Sequence, residues 1–325
     1  KLREIPCGTD MERITAARIG SANFCSTGIG AYFAMEGLYD FSTIDWGPQP
    51  FKMIWQSTSP SMCCLTAKDA NIKTLYDLKG KRVYWVPGAP ALNVANTGFL
   101  AFGNLTWDDV TKVEFPSYSA WYKGLIAGKV DAGLATAEVP MSFECASCPR
   151  GAWWLEFPPE DKEGWARFNK VCPYMYPNRI DKGAGVEKQC KELGKESIWV
   201  STYNYPNVVA YPQVPDEMCY FMAKAINESF ELYKDIEPLR MPGWKLEKAI
   251  TPVGAAPYHP AAVKYFKEIG HWNSELEAWN NKMLAEQEKL AKAWKSCIAE
   301  AADKKIKAKE FPAFWLKARE EALKK

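Results

Sequence analysis

Apolar and polar positions along this chain fall into short blocks whose period changes at Gly, Pro and Ser/Thr punctuation. Residues 2–5 read as a strand, and Thr9-Asp10-Met11-Glu12 is a capping box that opens a helix. Arg18-Ile19-Gly20 closes that helix with a basic last turn and a glycine. Residues 21–25 form the next strand, Ser26-Thr27-Gly28 lies at its carboxyl end, and a second helix covers 31–37. Such alternation predicts an α/β fold, a parallel sheet with helices on both faces. Ligands of these sheets gather beyond the carboxyl ends of the strands. Thr9, Asp10, Ser26 and Thr27 fall there. Each alone suits a helix cap or loop, and together they form a candidate half-site.

Residues 52–66 are apolar and β-prone, long enough to leave one lobe and enter another. The next stretch, LYDLKGKRVYWVPGAPALN at 75–93, reads as a polar turn, a strand over 83–86 and a tight loop opening a helix. Pro87-Gly88-Ala89-Pro90 reverses the chain, and Pro90 suits the first helical position because it has no N–H to leave unpaired. The N–H groups of Ala91, Leu92 and Asn93 are then expected to point unpaired from the first turn. A terminus of this kind attracts carboxylate or phosphate. Water on the same donors is the plain alternative.

Beyond it the pattern predicts a helix over 91–102, a strand at 113–115, a helix capped by Ser117 or Ser119, and a buried strand over 130–136. That strand delivers Thr136, Ala137 and Glu138 to its carboxyl end. Residues 151–184 are irregular and rich in Trp and Tyr, which reads as packing of a loop layer before an aromatic ligand box. Residues 197–210 are strand-like and make a return crossing, with Asn204 and Tyr205 near the middle. A helix over 216–232, a helix capped by Pro257-Tyr258-His259-Pro260 and a long helix opened by a second capping box at Ser274-Glu275-Leu276-Glu277 complete the pattern. Lys304 to Glu310 is a solvated charge run, and 311–316 supplies a last apolar clamp.

Composition narrows the classes. The 325 residues suffice for two domains, 47% are hydrophobic, 25% are charged, and no run is long enough to span a bilayer. A net charge of +2 with no basic stripe argues against nucleic acid. Only His259 and His271 occur, which excludes a His-rich zinc site, and no cofactor is implied. The 10 cysteines read as structural disulfides before a redox pair, and as a redox pair before zinc; buried free thiols are the alternative. Cys172–Cys190 or Cys145–Cys148 is the expected bridge, both pairs lying in one irregular region. Closing a loop of about 15 residues stabilises by roughly 3 kcal/mol.

DLKGKRV with its proline/glycine turn resembles the entry to the second lobe of solute-binding proteins. GTDMERITAARIGSANF, GLIAGKVDAGLATAEVP and PYHPAAVKYFKEIG add to that likeness, in the same order along the chain. Together they resemble the TAXI family, the extracytoplasmic receptors of tripartite (TRAP-type) transporters. The resemblance implies a two-lobed periplasmic-binding-protein-like fold of class II type, with doubly wound sheets joined by a hinge. It assigns residues 1–70 and 211–325 to one lobe and 71–210 to the other. Residues 2–7 resemble the family's second strand, so the first strand–helix unit (about 30 residues) is expected to be missing, and a signal sequence to have been removed. His259 matches a structural position of the family. The implied function is capture of a small-molecule carboxylate, such as glutamate or 2-oxoglutarate, by a monomer that delivers it to TRAP membrane permease subunits in the periplasm. Where the family carries a Gly/Ser-rich turn, this chain reads Pro87-Gly88-Ala89-Pro90-Ala91, without a hydroxyl.

The candidate ligand site therefore comprises Gly88, Ala89, Ala91, Leu92, Tyr118, Thr136 and Glu138 on one lobe. Thr9, Asp10, Ser26, Thr27, Asn204 and Tyr205 belong to the other wall and hinge. The ligand's carboxylate is expected over the helix start, on the N–H groups of Ala91 and Leu92, with the acids answering an ammonium or hydroxyl. Two other readings stand beside this one, a binding-protein-like sensor for a signalling kinase and a two-lobed α/β enzyme. No nucleophile–base pair, dinucleotide fingerprint or P-loop supports the enzyme.

Overall fold

Short β-prone runs bounded by turn residues become the strands. In a computed structural model that describes residues 2–324, they are β1 (Phe24–Thr27), β2 (Lys52–Gln56), β3 (Cys63–Ala67), β4 (Arg82–Trp85) and β5 (Thr111–Glu114). They continue with β6 (Ala132–Ala135), β7 (Ala152–Trp154), β8 (Tyr176–Ile180), β9 (Ile198–Thr202) and β10 (Asn207–Ala210). Residues 2–7, expected as a strand, form none. The chain divides into two compact units, one of Lys1–Ser57, Asn204–Lys234 and Trp244–Lys325, the other of Thr58–Tyr203 and Asp235–Gly243.

In the first unit the sheet order is β1-β10-β2, with β10 antiparallel to both neighbours. The α/β alternation is as expected, but the returning strand β10 lies between β1 and β2, so both pairings of this sheet are antiparallel where a parallel sheet was expected. Its register lines up Thr27, Asn207 and Gln56 across the three strands. All three are buried, so the sheet ends in a polar row. The helix Asp10–Arg18 packs beside it, its Thr9 cap and Glu12 forming the anticipated capping box.

The tail of the chain belongs to this unit. Its 30-residue helix Ser274–Asp303 is capped by Asn273, one residue before the expected Ser274, because Asn273 Oδ1 accepts from Leu276 N–H. The following helix, Phe311–Leu323, is pinned by Trp315, whose Nε1–H donates to Gly37 O at 2.8 Å. Arg319 adds a buried ion pair, its Nε donating to Glu36 Oε2 at 2.8 Å and its Nη2 to the same oxygen. Burial pushes the Glu36 carboxyl up to about 8, with the neighbouring Glu286 carboxyl adding to it and Arg319 opposing.

In the second unit the order is β5-β4-β6-β3-β7, with β4 parallel to β5 and β6 and with β3 antiparallel to β6 and β7. β8 and β9 form a separate antiparallel pair. Gly133 of β6 must lack a side chain, because a Cβ there would sit 2.1 Å from the ring of Tyr84. That ring stacks on Trp121 at 4.5 Å. The helix Pro90–Phe102 packs on Lys162–Val171 through Phe99, Phe102, Phe157, Trp165 and Phe168. Trp153, Trp154 and Trp165 are buried, so the tryptophans of the irregular region pack the loop layer, as expected of them.

The disulfide expectation is corrected. All ten cysteines are free and eight are buried. One thiol of each candidate pair is spent on its own packing site. Cys145 Sγ faces Tyr122 O at 3.9 Å, and Cys172 Sγ donates to Val94 O at 3.5 Å. Burial pushes both up to about 12, which keeps them protonated and unreactive.

Two outcomes follow. Ellman titration in denaturant without reductant should count ten thiols; a count of eight or fewer would restore a bridge. Arg319→Ala should destabilise the fold by up to about 3–5 kcal/mol where Glu36 is ionised, because it then strands a buried carboxylate. Glu36 binds its proton more tightly folded than unfolded, so stability is fully present below about pH 4.5 and falls as pH rises towards 8. The variant's loss, read by denaturant melts, should therefore be larger at pH 8 than at pH 5.

Candidate functional site

In the second unit, parallel β4 and β6 bring their carboxyl ends to the same edge of the sheet. β4 runs into the turn at Gly88, which adopts φ +72°, and Ala89 caps the helix Pro90–Phe102 without a side-chain bond. Two asparagines on that helix fix its start against the strand ends. Asn93 Nδ2 donates to Val86 O at 2.8 Å while its Oδ1 accepts from Val86 N–H at 3.0 Å. Asn96 Nδ2 donates to Tyr84 O at 3.0 Å, and its Oδ1 accepts from Leu134 N–H at 2.7 Å, so one side chain ties β4 to β6.

The helix terminus differs from expectation. The N–H groups of Leu92 and Asn93 both donate to Ala89 O, at 3.1 and 3.2 Å. The tight turn thus satisfies internally donors that the sequence pattern left open. Ala91 is 3% exposed, and Leu92 is half-buried.

β6 ends at Thr136 and Glu138, which the structure brings together with Tyr118. Tyr118 opens the helix Tyr118–Ile126, capped by Ser117. Its Oη lies 2.9 Å from Tyr122 Oη, and Tyr122 Oη lies 3.3 Å from Ser142 Oγ. Ser142 in turn donates to Thr136 O at 2.7 Å. The Thr136 hydroxyl is buried and has no hydrogen-bond partner among the described residues.

Glu138 is occupied by the protein itself. Its Oε1 accepts from Ser59 Oγ–H at 2.9 Å and its Oε2 from Ser61 Oγ–H at 2.6 Å, and Arg240 Nε stands 4.0 Å away. Ser61 Oγ also accepts from Ala137 N–H at 2.7 Å. Burial raises the carboxyl above its ordinary range, opposed by Ser61, Arg240 and Ser59. This geometry makes Glu138 an anchor of the strand end.

In the first unit the polar row at the sheet edge meets the start of the helix Asp10–Arg18. Thr27 Oγ1–H donates to Asp10 Oδ1 at 3.4 Å, and a Cβ on Gly30 would lie 2.7 Å from that carboxyl. Thr9 and Asp10 are both buried. Strand alternation turns Ser26 outward, so it leaves this cluster. Asn207 Nδ2 donates to Gly28 O and Asn204 O, both at 3.4 Å, and Asn204 Nδ2 to Gln56 Oε1 at 3.5 Å. Gln56 Nε2 is fixed on Thr251 Oγ1 and Val253 O, at 3.1 and 2.6 Å. Tyr205 lies beside the Arg13 side chain.

Ser59, Ser61, Gln56, Asn207, Arg13 and Arg240 escaped the sequence pattern. Arg13 stands three residues after Asp10, and Ser59 and Ser61 share strand spacing, so both carried a faint local signal. Arg240 carried none, because its partner is remote in sequence. A groove of about 580 Å³ elsewhere in the second unit, lined in part by Tyr76, Asp161, Arg179 and Trp199, contains none of the anticipated residues. Among the described residues no cluster of His, Cys, Asp or Glu could hold a metal, and no helix is long and apolar enough to cross a membrane.

No curated protein sequence matches the chain. Among solved structures it is similar to the periplasmic aliphatic sulphonate binding protein SsuA of Escherichia coli, at 16% identity and a TM-score of 0.41, over 85% of this chain and 73% of that one. It is also similar to MatC of Rhodopseudomonas palustris with bound malate, at 13% identity and a TM-score of 0.42, over 83% of each chain. At that distance neither likeness fixes a ligand. The profile of the NMT1-like family matches residues 31–270, a span that holds both units' sheets apart from β1. The chain belongs to the NMT1-like family.

Proposed function

We propose that this protein is an extracytoplasmic receptor that captures a small organic anion and hands it to the permease of a TRAP-type transporter, as a receptor of the TAXI kind. The four motif stretches that resemble that family support the assignment. A carboxylate such as glutamate or 2-oxoglutarate is the class of solute that the resemblance implies. Binding without chemistry needs preorganised polar groups at a strand-end rim, and little else.

One observation carries the reading. The Thr136 hydroxyl is buried at the carboxyl end of β6 with no intramolecular partner among the described residues. Leaving such a donor unsatisfied costs about 1–3 kcal/mol, a cost that solute binding would recover. Glu138, Ser61 and Ser142 hold the neighbouring backbone in place. Tyr118 stands on the same hydroxyl chain. Glu138 then serves this strand end as scaffold, and of its residues Thr136 and Tyr118 are left for polar contacts to solute.

Native mass spectrometry of the purified protein should reveal a retained small molecule that denaturation releases. Thr136→Val removes the hydroxyl at nearly constant volume. It should weaken binding of the released compound by about tenfold, or 1.4 kcal/mol, while the melting temperature of the empty protein stays the same or rises. Unchanged affinity with a lowered melting temperature would make Thr136 a structural residue and remove the support for this reading.

A further inference from the structure

Arginine cannot shed its charge in a protein, so a half-buried guanidinium has to find an anion or keep its water. Six arginines in this chain are neither fully buried nor exposed, namely Arg13, Arg82, Arg150, Arg167, Arg240 and Arg319. Five of them have a carboxylate within 4.0 Å. Arg82 pairs with Asp131, Arg150 with Asp69 and Asp131, Arg167 with Glu163, Arg240 with Glu237 and Glu138, and Arg319 with Glu36. Arg13 is the exception, without an ion pair among the described residues.

The exception sits in the polar cluster of the first unit. Arg13 follows Asp10 by three residues on the helix Asp10–Arg18, so the two share a face one turn apart. Asp10 is close enough to act on the guanidinium electrostatically but lies beyond ion-pair distance. Its Oδ1 is already engaged by Thr27. Tyr205 lies beside the guanidinium, and Cys25 is near it with a thiol that burial pushes up to about 12. A neutral thiol offers no charge to the guanidinium.

We infer that Arg13 is the oxyanion-binding residue of this protein, taking the carboxylate or sulfonate of the solute in its guanidinium fork. The inference rests on the receptor reading above; the helix start at Pro90 offers an anion less, because Leu92 and Asn93 are satisfied by Ala89 O. Planar bidentate geometry suits a carboxylate, and two of a sulfonate's three oxygens meet the same fork. Asp10, one turn away, disfavours a second anionic group nearby and favours an amine or hydroxyl there.

The test uses the intact protein and four probes: 2-oxoglutarate, L-glutamate, ethanesulfonate and the neutral diamide glutaramide. Calorimetry should show at least one anion binding. Arg13→Gln should weaken that binding by 30-fold or more, and Arg13→Lys should restore part of it. As a readout that needs no variant, the bound anion should protect Arg13 from phenylglyoxal, scored by peptide mass spectrometry. Undiminished anion affinity in a folded Arg13→Gln protein, or full phenylglyoxal labelling at saturating anion, would overturn the assignment and leave the receptor reading standing. Binding of glutaramide alone, or native retention of an uncharged solute, would overturn the anion and keep a receptor. Failure to bind any probe, with nothing retained natively, would overturn both.

Discussion

The carboxylate of Glu138 is the point on which the strand ends of the second unit converge. Taking a carboxylate out of water costs several kcal/mol unless donors replace the solvent. Ser59 and Ser61 supply them, and Arg240, from a separate part of the chain, adds an opposite charge at 4.0 Å. Ser61 has one proton, which goes to Glu138, and its oxygen then accepts from Ala137 N–H. The polarity of the whole arrangement is therefore set by the acid. Segment 235–243 belongs to this unit through the same acid and through the bond from Thr58 N–H to Gly243 O, although the chain on either side of it belongs to the other unit.

The two strand-end clusters follow one logic. Most of their polar atoms are consumed in holding backbone: Asn93 and Asn96 on β4 and β6, Gln56 on the segment at 251–253, Ser142 on Thr136 O. These bonds define rigidity and say nothing about a solute. What distinguishes a binding surface is the remainder left once the internal bonds are counted. Buried polar atoms are normally paired, so a buried hydroxyl or a half-buried guanidinium without its usual partner is more informative than a rim of exposed polar residues.

What could be read from the sequence was local. The Thr9–Glu12 box, the Pro90 helix start, Ser117 as a cap and His259 over Ala261 N–H all involve neighbours within four residues, and all are found. The positions of Thr136 and Glu138 at a buried strand end were legible from the apolar run before them. The roles of those residues were not. Arg240 is 102 residues from Glu138, and no pattern in either segment announces the other. The open donors of Leu92 and Asn93 at that helix start failed for a subtler reason. Expecting open N–H groups on Ala91, Leu92 and Asn93 presumes a carbonyl-poor entry, whereas Ala89, at φ −122° and ψ 67°, turns its own carbonyl onto the last two. The cysteine count suggested bridges because composition cannot show that eight of the ten thiols are buried and none is bridged.

The tail shows how far the body's sequence is shaped by segments outside the family match, which ends at residue 270. A Cβ on Gly37 would meet Trp315 Nε1 at 2.8 Å, and one on Gly47 would meet the Trp294 ring at 2.2 Å. Both glycines also adopt positive φ, so turn geometry and close approach demand the same residue. Asn280 Oδ1 accepts from Tyr258 N–H at 2.7 Å, and Gln287 Nε2 donates to Gln49 O and Phe51 O. Tyr258 and Phe51 are fully buried, so without the long helix their backbone groups would be stranded beside the sheet that carries Gln56 and Asn207. Residues 271–323 are therefore a structural part of the first unit. The polar row at its sheet edge owes its fixed geometry partly to side chains more than 200 positions away in sequence.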